Sequence, residues 1–180
     1  MIVALLLTSL LPGQSAPVVP DAPALSADPL APARAGKLRC ISPNPARLTC
    51  QTIIRYKLSG AKSFDAKVSG LVGGDPTLLL RYDTFGDIEQ GGVCVTMRIG
   101  DFQNGMLLRS GKKLSPNDER ALRLQVLDTV QPMQGKKRCY IDRTEAGVTR
   151  AVVTIDGVAH PELGQTVAWV SPSDGYALGR

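Results

Sequence analysis

Four cysteines, one histidine and a short run of carboxylates are the residues of this chain whose types could carry chemistry. The cysteines Cys40, Cys50, Cys94 and Cys139 follow the spacing C-x9-C-x43-C-x44-C. Zinc sites need ligand pairs two to four residues apart, and redox dithiols need C-x-x-C. Neither spacing occurs. An even count at wide spacing suits two structural disulfides formed in an oxidising compartment. Four cysteines allow three connectivities. Nearness along the chain favours Cys40–Cys50 with Cys94–Cys139, and the longer loop of the second bridge contributes on the order of 4 kcal/mol in the chain-entropy account.

The single histidine, His160, precedes Pro161 in the loop-like stretch "AHPELG". No G-x-S-x-G accompanies it, so a Ser-His-Asp site lacks its nucleophile signature and His160 reads as a surface loop residue. Asp83, Asp87 and Glu89 fall in "YDTFGDIE". Their order is not that of a calcium loop. Asp83 and Asp87 would suit hydrolysis by paired carboxylates if the fold brought them together; otherwise the stretch is a polar loop between strands. "GMLLRSGKK" places five residues between its glycines, where a phosphate loop has four, and Lys113 stands where that loop needs Ser or Thr. No metal or cofactor motif is present.

Charge is the remaining polar signal. Between Arg98 and Arg138 lie nine Lys/Arg against four Asp/Glu, so this segment holds the whole formal excess of +5. It brackets a helix. "SPNDERALRLQVLDTV" opens with Ser115 as N-cap and Pro116 at the first helical position, and Leu122, Val126, Leu127 and Val130 share one face. Pro132 stops it, predicting a helix over about 116–130. Lys136, Lys137 and Arg138 follow the C-terminus, where the dipole favours cations. Lys112 and Lys113 precede the N-terminus, where cations oppose the dipole, so Lys112, Lys113 and Ser115 form a candidate anion-binding site. An acidic envelope component or protein is the partner such a patch fits. Aromatics are only 4% and are not interleaved with the basic residues, which speaks against nucleic acid.

The elements that must position these residues are mostly strands. "LTCQTIIRYKL" alternates with Thr52, Ile54 and Tyr56 on one side, and "GGVCVTMRI" puts Val93, Val95 and Met97 opposite Cys94 and Arg98. "FDAKVSGLV", "TLLLRYD", "GMLLRS", "RCYIDR", "GVTRAVVTIDG" and "GQTVAWV" complete the strand candidates, and "CISPNPARLTC" reads as a stapled loop. The connections are too short for parallel crossovers. The expectation is an α+β fold: a curved, mainly antiparallel sheet of about seven strands with one amphipathic helix packed on it.

At the N-terminus, Ile2–Leu11 is an apolar run too short to span a membrane and suited to a secretory signal peptide over 1–16. No basic residue precedes it. A Pro/Ala-rich tether is expected over 17–36, the domain over 37–170 and a flexible tail over 171–180. No transmembrane segment is expected after cleavage.

The order of the close cysteine pair "CISPNPARLTC", the "GGVC" strand, the helix ending "QPMQGKKRC" and the closing "DG…VAWV" resembles small uncharacterised exported, periplasmic two-disulfide proteins of Gram-negative bacteria. The resemblance implies a periplasmic single domain and supplies no active-site residues. Function is therefore expected to be binding or interaction without catalysis. The alternatives are a small envelope hydrolase using carboxylates and a barrel-like carrier of an apolar ligand, the last of which requires an internal cavity.

Overall fold

A computed structural model describes residues 28–75 and 77–180. The expected signal peptide, 1–16, and the first part of the expected tether lie outside the described residues.

The elements run β1 (Leu38–Asn44), β2 (Thr49–Leu58), β3 (Ser63–Leu71), β4 (Leu78–Glu89) and β5 (Gly92–Thr96), after a helical turn α1 (Ala31–Arg34). Then come α2 (Ile99–Gln103), β6 (Met106–Arg109), β7 (Lys112–Lys113) and α3 (Pro116–Val130). β8 (Lys137–Glu145), β9 (Val148–Ile155), β10 (Val158–Ala159), β11 (Gln165–Val170) and β12 (Ala177–Leu178) follow. The fold is α+β with one main helix, and α3 spans the predicted residues. Ser115 caps it, accepting a hydrogen bond from the Asp118 N–H.

The sheet is not the open, curved sheet of about seven strands that the alternation suggested. Among the described residues it has twelve strands, and eight of them close into a barrel in the order β1, β2, β3, β4, β5, β8, β9, β11 and back to β1. All eight pairings are antiparallel. Closure removes the free edges that an open sheet would expose. Two stretches read as loops make the difference. The prolines of "CISPNPARLTC" fall late in β1 and in the turn to β2, so they leave Leu38–Ile41 free to pair on both sides. The polar "YDTFGDIE" continues β4 to twelve residues; its charged side chains point outward while Tyr82, Thr84 and Gly86 alternate inward.

β4 holds the barrel together along its length. Its first residues, Leu78–Arg81, pair with β6, and its last, Asp87–Glu89, pair with β5. Between these lies Gly86, where a Cβ would stand 2.0 Å from the Cys94 carbonyl oxygen and 2.9 Å from the Phe64 ring. Only glycine permits the strands this close an approach.

Helical segments pack at both ends of the barrel. At one end Leu30, fully buried, packs with Phe64 and Val93. Leu30 and Ala33, which fall within the stretch expected as a tether, supply apolar surface to the barrel. At the other end α3 lays Leu122, Val126, Leu127 and Val130 over Leu78, Leu80, Phe102 and Leu107. The expected flexible tail is also engaged: a 3-10 turn at Pro172–Asp174 closes with a capping box, Tyr176 packs over Cys40 and Cys50, and β12 pairs with β2.

The disulfides are Cys40–Cys50 and Cys94–Cys139. Cys94 and Cys139 face each other across β5 and β8. Their bridge closes the long excursion through α2, β6, β7 and α3 at the point where the chain leaves and re-enters the barrel.

Candidate functional site: the barrel interior

Eight antiparallel strands leave an interior just wide enough to be filled by side chains or to hold one small ligand. Here it is not filled. A cavity of about 390 Å³ lies inside, with aliphatic walls that include Ile41, Ile54, Val68, Leu80, Val93 and Val95. Small residues make the room: Ala66 and Gly70 stand on the inner face of β3. Phe102, Val126 and Val130 line it from the helical side.

Set among these walls is a polar group that the strand register assembles. β1 points Arg39 inward, opposite Ile54 on β2 and Trp169 on β11. Arg39 is 1% exposed and is the one charged residue in the fully buried set among the described residues. Its Nη2 donates to Asp142 Oδ1 at 2.5 Å, and its Nη1 donates to the Tyr56 hydroxyl at 3.3 Å. Its Nε, buried, has no partner. β8 brings Arg138, Tyr140 and Asp142 to the same interior. Two guanidinium groups approach the Tyr140 ring, that of Arg39 at 5.5 Å and that of Arg138 at 5.0 Å from its centroid. The Arg138 Nε is likewise buried without a partner.

Burial sets the titration of this cluster. It opposes the charge on Arg39, but Tyr56 and Asp142 beside it more than offset that, so the guanidinium pKa is raised. Burial pushes the Asp142 carboxyl above the usual carboxylate range, against the pull of Arg39 and Trp169. Burial also raises the Tyr56 phenol, opposed by Arg39, and raises the Tyr82 phenol. A recess of about 180 Å³ shares Tyr82, Val95, Arg138 and Tyr140 with the main cavity. Its other polar groups are mutually satisfied: Arg98 pairs with Asp101 at 3.1 Å, and Thr84 donates to Asp101 at 2.7 Å.

The residues singled out by type lie elsewhere. Asp83 is on the outer face, paired with Lys67 at 2.9 Å, with both side chains 73% exposed. Glu89 pairs with Lys137 at 2.8 Å. His160 is bonded to Glu162 across a 3-10 turn, with 2.8 Å between Nδ1 and Oε1. Among the described residues no group of three or more His, Cys, Asp and Glu could hold a metal ion. Lys112 and Lys113 are exposed on the two-residue β7. The Ser115 hydroxyl donates to Asp118 Oδ2 at 2.7 Å, so a carboxylate of the chain itself sits at this helix end. The basic segment does not form one face: Arg98, Arg109, Arg123 and Lys137 each pair with a carboxylate, and Arg138 turns into the barrel.

Sequence reading missed Arg39, Arg138, Tyr140 and Asp142. Tyr56 was placed on the correct face, although not as part of a site. The signal available was an arginine inside a short apolar strand, "LRCI", and an R-x-Y-x-D alternation in "RCYIDR".

Fold and site together define a disulfide-stapled eight-stranded β-barrel with a polar cluster set into an apolar interior. The chain matches no protein-family model, no curated protein and no solved structure. Among the described residues no helix is long and apolar enough to cross a membrane.

Proposed function

We propose that this is an exported binding protein that carries a small, largely apolar molecule inside its barrel. The observation that carries the reading is the cavity of about 390 Å³ walled by aliphatic side chains. That volume lies in the range of small-molecule sites, which are concave, mostly apolar and furnished with a few placed polar groups. The two disulfides support work in an oxidising compartment. The hydrolase alternative has little geometry behind it, because Asp83 stands on the outer wall in an ion pair with Lys67.

The test is binding of the neutral, environment-sensitive dye N-phenyl-1-naphthylamine to the purified protein. Saturable, one-site enhancement of fluorescence is expected. Val68, buried on the cavity wall, should tolerate V68F at a stability cost of about 1–3 kcal/mol. The same substitution should weaken dye binding about tenfold or more by filling the space. Binding that V68F leaves unchanged places the dye outside the barrel and refutes the reading.

A further inference from the structure

An unmatched charge inside the cavity says what kind of molecule it takes. Two cations, Arg39 and Arg138, line the cavity. One carboxylate, Asp142, is bonded to Arg39. No carboxylate of the described residues pairs with Arg138, whose close neighbour is the Tyr140 ring. The smaller recess does not redress the balance, since its Asp101 is already held by Arg98. Among the described residues the interior therefore carries one positive charge more than negative, and the Nε of each arginine is buried without an acceptor. Buried donors left without an acceptor are costly unless something answers them.

We propose that the ligand is a monoanionic amphipath, with a carboxylate held by Arg138 and the unpaired Nε–H of Arg39 and an aliphatic chain lying along Ile54, Val68, Leu80 and Val95. This rests on the carrier reading above and adds the chemistry of the headgroup. A single negative charge matches the single uncompensated positive charge. A guanidinium edge presents its donors in the geometry that carboxylates accept. The walls give the rest of the molecule no polar group to meet along those four side chains. The volume admits such a chain. Even at about 30 Å³ for each water-sized group, the cavity has room for at least roughly a dozen non-hydrogen atoms. Decanoate has that size.

The experiment displaces N-phenyl-1-naphthylamine from the protein with decanoate, 1-decanol or decylamine at pH 8. Decanoate should displace the dye at a concentration about tenfold or more below that of decanol, and decylamine should be weakest. In R138M, checked for folding by circular dichroism, decanoate should weaken about tenfold while decanol changes less than about twofold. Should R138M fail to fold, the wild-type ranking of the three ligands still decides the matter. Dye that binds but yields equally to decanoate and decanol, or an R138M that keeps the decanoate preference, overturns the carboxylate proposal and leaves the carrier standing. Dye that does not bind the wild-type protein overturns the carrier and this proposal with it.

Discussion

Replacing Arg39 by methionine isolates the interior ion pair. Methionine follows much of the arginine path but strands the Asp142 carboxylate in the barrel. Breaking a buried ion pair from one side costs about 3–5 kcal/mol. The proton offers a second route to the magnitude. A stranded carboxylate can neutralise itself, and keeping a carboxyl of unperturbed pKa about 3.9 protonated at pH 7 costs about 4 kcal/mol, or about 1.4 kcal/mol per pH unit. That is the ceiling on the charge penalty. The Asp142 side chain is 19% exposed, so some water remains and the expected deficit is about 3 kcal/mol at pH 7. At pH 5 the ceiling falls to about 1.5 kcal/mol and the deficit to about 1 kcal/mol. The sign is set by linkage. In R39M the folded-state pKa of Asp142 rises further above its unfolded value, so the native state binds more protons and stability falls as pH rises between the two. D142N behaves differently: it leaves Arg39 unpaired, and a guanidinium cannot shed its proton, so its deficit should not grow from pH 5 to pH 7 as that of R39M does. The double variant R39M/D142N removes both charges and should return to within about 1 kcal/mol of wild type. Urea unfolding followed by Trp169, the sole tryptophan, reads all four proteins, because that ring lies opposite Arg39 on β11. An R39M deficit equal at pH 5 and pH 7, or a double variant less stable than either single, refutes the reasoning.

The two disulfides should contribute unequally. Cys94 and Cys139 are 45 residues apart and Cys40 and Cys50 are 10 apart, so the chain-entropy account gives about 4.0 and 2.7 kcal/mol. C94A/C139A should therefore lose more stability in urea than C40A/C50A, and the reverse order counts against loop closure as the main contribution. The N-terminal reading is checked by the intact mass of protein expressed with export in a Gram-negative host. A mature chain beginning between Ser15 and Pro17 is expected, and an unprocessed Met1 rules out the signal peptide.

Much of the fold was legible because helix and strand signals are local. Ser115, Pro116 and the 122/126/127/130 stripe define α3, and period-two alternation marks β2 and β5. Barrel closure was not legible, because it depends on whether two stretches carry strands, and composition masked both. Pro43 and Pro45 hid β1, although they lie late in the strand and in its turn. The charges of "YDTFGDIE" hid the second half of β4, although in a barrel a charged outer face is ordinary. Without β1 and a twelve-residue β4 the remaining strands can only be drawn as an open sheet.

The site was hidden for a different reason, and β8 shows it. In "RCYIDR" Cys139 and Ile141 alternate with Arg138, Tyr140 and Asp142, and polarity alone would bury the first set. The disulfide reverses that. Residues directly opposite in an antiparallel pair share a face of the sheet, and Cys94 is opposite Cys139. On β5 the alternation sends Val93 and Val95 into the barrel, so Cys94 faces outward. Cys139 must then face outward too, and its neighbours Arg138 and Tyr140 must face in. The bridge that looks purely structural is thus what turns the polar side of β8 toward the cavity. The positive charge inside the barrel follows from a cysteine pairing and the alternation of two valines.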